Sequence, residues 1–509
     1  MPDSRLDAAL AVPDRRNALE SLEEIAAAPP GGPAALAACA GRRYESANAD
    51  ERWLLRHLLG LLPEAGGPVV LDLLARVPSA DLLSLAVRRR LAVPAPVLDG
   101  LVERLGCTEL VVDALGLSGD PGRAEVLGGL LDEEKVRGRA ALALARLGAR
   151  EWTVPIARRL SETTGLAHAA FAVALEEMGD TAAVPYLLDW LARSPGPPAG
   201  DVHLALARLT GRDPLIPTSA TVQEYSAHVR RVWADLDLTA PPAPRMCRVT
   251  AEAPGRLRFS LDEGRGRIRV DYDPPSPGSP WPRWNKTLHV GGRALYRVSS
   301  GCGTCETMMG LLGFPPPEAK TEAARVRGAL ANPRGLTAAT ADALEPLITE
   351  LASGDYRAHL VDLPLERVDA PERSWWLRRA AVRADPERRR PDPVDWPGTG
   401  HFQTPRMSPG PPPTYGSVLP SQPLDRLDPA TVRRHASAIA RGERPAALLL
   451  AWAEHRCVEA EWEERFLIGV ILDGHHRLAA YAAAGVPARL LVLTRTESGG
   501  TFEEVLDAL

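Results

Sequence analysis

The sequence predicts a multidomain protein with an N-terminal all-α solenoid, a central β-rich α+β region and a C-terminal α/β domain. Three observations support this prediction. Glycine-containing turns recur about every 30 residues in the first half of the chain. Polar and apolar residues alternate beyond residue 245, which is typical of strands. Near the C-terminus, an apolar run is followed by a sharp turn and an Ala-rich segment. The 509 residues are too many for one ordinary domain.

Composition restricts the class of protein. Charged residues make up 25% of the chain and the net charge is -5, so charge-driven binding to DNA is not expected. No stretch approaches the ~20 apolar residues that span a bilayer. Residues Met1–Asp14 lack the basic start and apolar run of a signal peptide. We therefore expect a cytoplasmic protein, without membrane attachment, whose six cysteines are reduced.

Residues 1–238 are predicted to form paired helices. An Ala-Leu pair precedes each of four regularly spaced glycines, which are Gly119, Gly148, Gly179 and Gly211. Two such helices cannot bury their apolar faces alone, whereas stacked pairs can. The pattern resembles HEAT-type repeats of the short bacterial kind, best over residues 100–215. Because such arrays usually bind another macromolecule on their concave face, the resemblance implies a protein partner. A scaffold without a partner is the alternative.

Residues 245–370 are predicted to be an α+β region. Alternation predicts strands at 256–261 and 267–272, joined as a hairpin by 262–266, and a second pair at 286–290 and 293–298. Helical patterns follow at 307–312 and within 315–351. A Pro- and Arg-rich connection is then predicted for residues 371–413.

Cys302 and Cys305 form a Cys-x-x-Cys motif between the strand at 293–298 and the helix predicted at 307–312. A helix N-terminus stabilises a thiolate, which would allow redox chemistry. The pair could instead supply two zinc ligands, with Cys247 and His289 completing the site if the fold brings them close. A structural pair of thiols is the third interpretation.

Residues 414–509 are predicted to be an α/β domain. Phe466–Leu472 is a continuous apolar run, as expected for a strand buried on both faces. A turn at Asp473-Gly474 leads into a predicted helix, His475–Ala484, which ends at Gly485. Upstream, Asp428 is placed as the N-cap of a helix that runs to Ala440. Strands are predicted at 446–451 and 488–493.

This order resembles the ParB/sulfiredoxin superfamily over residues 415–496. The resemblance rests on the Leu-x-Pro start of the helix at Leu427, the Gly-x-x-Pro at Gly442–Pro445 and the Asp-Gly-x-x-Arg turn at Asp473–Arg477. It implies that Gly474, His475, His476 and Arg477 cradle nucleotide phosphates. Family members include CTP-dependent DNA clamps, an ATP-dependent sulfinic-acid reductase and a free-serine kinase.

Two departures from the family narrow the expectation. The sulfiredoxin nucleophilic cysteine would fall at His475, so that reaction is not expected. No ParB-style basic helix-turn-helix follows the turn before Leu509, so DNA clamp activity is not expected either.

The chemistry of the turn gives the same prediction without the family. A helix N-terminus offers free N–H groups and partial positive charge to an anion. Gly474 would let the backbone approach the anion, and Arg477 can bond two phosphate oxygens at once. A histidine there can donate to phosphate or move a proton near neutral pH. The alternative is a purely structural turn, because Asp-Gly turns are common.

The leading hypothesis is therefore a nucleotide- or phosphate-binding protein, with phosphotransferase or nucleotide hydrolase activity as its catalytic form. ATP or CTP with magnesium would be the ligand, and His475, His476 and Asp473 the catalytic candidates. Asp473 or Glu443 would act as a base or hold the metal. The alternatives are a non-catalytic repeat protein that binds a partner, and a thiol or zinc module at Cys302 and Cys305.

Overall fold

The structure is a computed structural model that divides into two compact units. The helical unit comprises Met1–Pro197, Asp201–Leu209 and Pro274–Arg283, and the sheet unit comprises Pro198–Gly200, Thr210–Asp273 and Trp284–Leu509. The described residues are 2–160, 165–194, 196, 198–217, 219–273, 277–279, 283, 286–298, 309–314, 323–375, 397–408, 412–459, 462–496 and 501–509. Across these residues, no helix is both long enough and apolar enough to cross a membrane.

The helical unit is built from consecutive short helices. Its helices are α1 (Pro2–Leu10), α2 (Arg15–Ala27), α3 (Pro33–Ser46), α4 (Ala49–Leu61), α5 (Pro63–Arg76), α6 (Ala80–Arg88), α7 (Ala95–Leu105), α8 (Glu109–Leu117), α9 (Ala124–Gly129), α10 (Arg137–Leu147), α11 (Thr153–Arg159), α12 (Gly165–Met178), α13 (Val184–Arg193) and α14 (Gly200–Thr210). The sequence-based boundary at residue 238 differs from this division, because residues 210–238 cluster with the sheet unit.

The predicted glycine turns are present. Gly119, Gly148, Gly179 and Gly211 follow the ends of α8, α10, α12 and α14, with φ of 67°, 70°, 62° and 65°. Residues with a β-carbon are strained in this left-handed region, so glycine is the residue that reverses the chain there at least cost. The ~30-residue spacing therefore records a repeated helix–turn–helix geometry.

Small residues set the distance between neighbouring helices. A β-carbon built on Gly116 of α8 would lie 2.7 Å from Cα of Ala143 in α10. One helix further, a β-carbon on Gly138 would lie 3.2 Å from Cα of Ala167 in α12. Backbones this close leave no room for larger side chains, which explains the Ala- and Gly-rich composition of these helices.

The sheet unit combines strands with a few helices. Its helices are α15 (Val222–Asp235), α16 (Ala323–Leu330), α17 (Ala338–Ile348), α18 (Pro429–Ala440), α19 (His475–Ala484) and α20 (Thr501–Ala508). Its strands are β1 (Arg245–Ala253), β2 (Arg256–Asp262), β3 (Arg269–Tyr272), β4 (Lys286–Val290), β5 (Arg293–Val298), β6 (Met309–Leu311), β7 (Gly354–Leu363), β8 (Glu366–Val368), β9 (His401–Gln403), β10 (Thr414–Leu419), β11 (Ala447–Glu459), β12 (Trp462–Asp473) and β13 (Ala488–Arg495).

Nine of the described strands form one mixed sheet in the order β1-β2-β7-β13-β11-β12-β10-β9-β8, and β3-β4-β5-β6 form a second sheet. In the large sheet β7 pairs antiparallel with both β2 and β13. The regions 245–370 and 414–509, predicted as separate domains, therefore contribute strands to one sheet. Local periodicity does not encode which distant strands pair, and so it could not reveal this.

Two local predictions are wrong. Residues 262–266 do not close a hairpin, because β2 pairs with β1 and β7 while β3 belongs to the second sheet. The helix predicted at 307–312 is replaced at Met309–Leu311 by β6, which pairs with β5. The apolar residues Met309 and Leu311 are compatible with either a helix or a strand. Pairing with β5 therefore determines that this segment is a strand.

The central strands of the large sheet are buried on both faces. Along β12, Phe466, Ile468 and Val470 belong to one apolar cluster, which also takes in α16 and α17. The alternate residues Leu467 and Ile471 belong to a second cluster with α18, α19 and α20. This confirms the interpretation of Phe466–Leu472 as a strand covered on both sides.

We predict that Gly116→Ala lowers the free energy of unfolding by about 1–3 kcal/mol, because the new methyl group would collide with the backbone of α10. Gly129→Ala is the matched control. Gly129 has helical φ and ψ of -62° and -28°, and no described atom lies within 4 Å of its built β-carbon. Chemical denaturation followed by circular dichroism measures both variants. Equal effects of the two substitutions would contradict the close-approach explanation.

Candidate functional site

The candidate turn joins the end of β12 to the start of α19. β12 lies between β11 and β10 and ends at Asp473, and α19 begins at His475. Gly474 has φ of 107°, which a residue with a side chain rarely adopts. The strand–turn–helix arrangement predicted for Phe466–Ala484 is therefore confirmed, and the turn lies at the C-terminal end of a buried strand.

Close packing against the sheet requires glycine at position 474. A β-carbon at this position would lie 2.8 Å from both Cα and Cβ of Ala447 in β11. From the sequence, Gly474 is expected to let an anion approach the backbone because glycine has no side chain. In the structure Ala447 takes that space, so an anion would have to approach from another side.

His475 points into the protein. Its side chain is buried, and its Nε2 accepts a hydrogen bond of 3.0 Å from the backbone N–H of Ser421. The hydroxyl of Ser421 donates to the carbonyl of Ile471 at 2.6 Å. His475 thus fixes the loop that follows β10 against the end of β12. Of the two adjacent histidines, this one has a clear structural role.

Arg477 is also buried, with 8% of its surface exposed. Its Nη1 donates to the carbonyl of Ala446 at 2.7 Å and lies 3.4 Å from Oδ2 of Asp473. A buried guanidinium needs such partners to offset its lost hydration. Asp473 and Arg477 therefore hold each other across the turn, and Arg477 anchors the first turn of α19 to β11.

His476 faces α18 and is half-buried. Its Nε2 accepts a hydrogen bond of 3.1 Å from the backbone N–H of Asp428. Burial lowers the pKa of His476 from its ordinary value, while the negative charge of Asp428 acts in the opposite direction. The imidazole is therefore biased toward the neutral form, with Nε2 as the acceptor.

The two neighbouring helices differ at their N-termini. Asp428 caps α18 as predicted, since its carboxylate accepts from the backbone N–H groups of Ala430 at 3.1 Å and Thr431 at 3.0 Å. At the start of α19, the N-cap residue Gly474 has no side chain that could cap the first turn. The carboxylate of Asp473, one residue earlier, lies 3.4 Å from Nη1 of Arg477.

Two residues that the sequence analysis did not single out act on this site. Arg434 and His435 lie on α18, about two turns beyond its N-cap. Burial lowers the pKa of His435, and the positive charges of Arg477 and Arg434 lower it further. Arg434 likewise lowers the pKa of His476. The seven-residue spacing of His435 from Asp428 is a signal that could have placed these two residues on the same face, whereas Arg434 lies about 100° away from His435.

Glu443 lies in the connection between α18 and β11, where its carboxylate binds Nη2 of Arg441 at 2.8 Å. None of its described contacts reaches Asp473. Among the described residues, no group of three or more His, Cys, Asp or Glu side chains is arranged to hold a metal ion.

Cys302 and Cys305 lie outside the described residues, so the zinc and redox hypotheses stay predictions. Of their two suggested companions, Cys247 lies in β1 of the large sheet and His289 lies in β4 of the second sheet. Met309–Leu311 is a strand. The helix predicted at 307–312, which would stabilise a thiolate at the motif, is therefore not formed by these three residues.

We predict that Gly474→Ala lowers the free energy of unfolding of the sheet unit by about 2–4 kcal/mol, through backbone strain and collision with Ala447. Gly485→Ala tests strain alone. Gly485 has φ of 63°, and within the described part of the chain its built β-carbon meets nothing within 4 Å. Its cost should be about 1 kcal/mol. Urea denaturation compares the two, and a larger cost at Gly485 would be incompatible with the close contact.

A comparison with models of known protein families finds no match for this chain, and a comparison with curated proteins finds none either. The resemblance to the ParB/sulfiredoxin and HEAT-type families thus stays a hypothesis from sequence motifs. What the turn can do chemically follows from its own geometry.

Proposed function

We propose that the start of α19 binds the phosphate of a nucleotide or another small phosphate ligand, with His476, His435 and Arg434 as side-chain ligands. The observation that carries this proposal is that Arg434 lies close enough to His476 and His435 to lower the pKa of both, beside the start of α19, whose N-cap is a glycine. An anion at that position would complete the first turn of α19 as Asp428 completes that of α18.

The free-energy contributions of the individual groups show which of them would contribute most to anion binding. A helix N-terminus contributes about 0.3–1 kcal/mol to an exposed anion, which gives no useful affinity alone. A hydrogen bond to a charged group contributes about 1.5–3 kcal/mol. Arg434, which is exposed, and His476, which is half-buried, are therefore the main expected sources of affinity. Arg477 adds positive charge from beneath the turn, partly balanced by Asp473.

The roles of the predicted residues divide accordingly. His475 and Arg477 hold the turn in place through Ser421 and Ala446. His476 is better placed than His475 to reach a ligand, since part of its side chain is accessible. Taking up a proton at Nε2 would break its hydrogen bond from the N–H of Asp428. In a phosphate-transferring form of the protein, His476 would be the candidate for that proton step.

We predict that the full-length protein binds ATP, CTP or inorganic phosphate in calorimetric titrations, and that Arg434→Ala weakens binding by about ten- to a hundredfold. His476→Gln should weaken it by a similar factor, through loss of a donor that can become charged.

Arg433→Ala is the control, because Arg433 is an exposed neighbour on the same helix. It removes the same charge from the chain and should leave affinity within twofold. The proposal fails if no phosphate compound gives heat at millimolar concentration. It also fails if Arg433→Ala weakens binding as much as Arg434→Ala does.

We predict that sulfate binding strengthens by up to about tenfold as the pH falls from 8 to 6. Burial lowers the pKa of His476 and of His435, so both imidazoles are mainly neutral at pH 7 in the free protein. A bound anion favours the charged forms, so protons are taken up on binding and affinity rises with acidity. Sulfate keeps its charge over this range. The pH dependence should shrink in His476→Gln, and an unchanged profile there would exclude His476 as a ligand.

A further inference from the structure

We infer that the helical unit has a peptide-binding face which takes an arginine-bearing segment, and that Gly278 and Arg283 of the chain itself occupy it. The face is formed by the row of acidic residues Asp113, Glu176, Glu177 and Asp201, here called the carboxylate row. The inference does not rest on phosphate binding at α19.

The first anchor of the segment is a backbone hydrogen bond. The N–H of Gly278 donates to Oδ2 of Asp113 at 2.9 Å. Asp113 is fully buried in α8, where it also pairs with Arg139 and, at 2.9 Å, with Arg146 of α10. A backbone donor seated on a buried carboxylate recognises the main chain of a peptide rather than its side chains.

The backbone conformation at this anchor favours glycine in the segment. Gly278 has φ of 79°, a left-handed conformation that a residue with a side chain adopts only with strain. A β-carbon built on it would lie in ordinary van der Waals contact, 3.4 Å from Cγ1 of Val87 in α6. The anchor thus selects a peptide with glycine at this position.

The second anchor is a buried arginine. Arg283 has 9% of its side chain exposed; its Nε lies 2.9 Å from Oδ1 of Asp201, and its Nη2 pairs with Glu176. Its two carboxylate partners come from different helices, α14 and α12. A guanidinium can satisfy two carboxylates at fixed angles, which a lysine cannot do as well. This anchor therefore selects arginine.

The spacing of the anchors matches the repeat. Gly278 and Arg283 are five residues apart, and five residues of chain reach at most about 18 Å. Neighbouring packed helices are separated by about 8–10 Å. The segment can therefore reach from α8 to α12, which are two steps apart in the succession α8, α10, α12.

Glu177 is the member of the carboxylate row whose negative charge is least stable. Burial raises the pKa of Glu177 to about 7, and the neighbouring Glu176 raises it as well, while Arg146 and Arg283 act in the opposite direction. Removing Arg283 would leave Glu176 and Asp201 without this partner. A peptide from another protein that presents Gly and Arg at the same spacing would supply it and compete with the chain's own segment.

The test uses a fluorescent synthetic peptide with the sequence of residues 274–285, titrated into full-length protein. The wild type should bind weakly, because its own segment fills the face. Arg283→Ala should bind at least tenfold more tightly, because the face is released. Gly278→Pro, which removes the N–H that meets Asp113, should release it too and serves if Arg283→Ala misfolds. Arg293→Ala, at an exposed arginine in β5, should behave as the wild type.

Adding Glu176→Gln and Asp201→Asn to Arg283→Ala should abolish the gained binding, as should replacing the arginine of the peptide by alanine. The inference is overturned if wild type and both released variants bind the peptide equally or not at all. It is also overturned if binding survives the loss of both carboxylates.

Discussion

The candidate site depends on one interaction, the hydrogen bond from the buried Arg477 to the carbonyl of Ala446. A guanidinium at this depth must be paired, and its partners are a backbone carbonyl just before β11 and the carboxylate of Asp473. The pairing ties the first turn of α19 to the sheet. It also fixes where the adjacent residues point, because positions on a helix are set about 100° apart.

The consequences of this anchor appear at the two histidines. Once Arg477 faces the sheet, His475 is directed to Ser421 and His476 to the start of α18. The same residue type thus serves two different purposes at consecutive positions. The imidazole of His475 is buried beneath the turn, whereas that of His476 is half-buried and interacts with Arg434. The division arises from helix geometry rather than from any difference between the residues themselves.

Local signals in the sequence predicted local structure well. The bounds of α19, its glycine stop at Gly485 and the Asp428 cap of α18 all follow from capping and turn preferences, which act over a few residues. The glycine turns of the helical unit follow for the same reason. Strand pairing does not, because the partnership of β7 with β13 joins residues more than 100 positions apart. The exposure of the site residues depends on that pairing, so the burial of Arg477 could not be foreseen.

Both units show how an arginine-rich, lysine-poor chain places charge in its interior. Arg212 donates to the carbonyls of Asp237 and Ala240 at 2.9 Å and 2.7 Å and pairs with Glu263. Arg283 and Arg477 likewise combine fixed geometry with several acceptors. The planar guanidinium can bind several acceptors at once, which a lysine ammonium matches poorly. An arginine whose acceptors belong to other segments fixes those segments together. The same property makes arginine the side chain that a carboxylate-lined face can recognise in a peptide. The interaction that stabilises the interior of this protein is thus the one proposed for peptide binding.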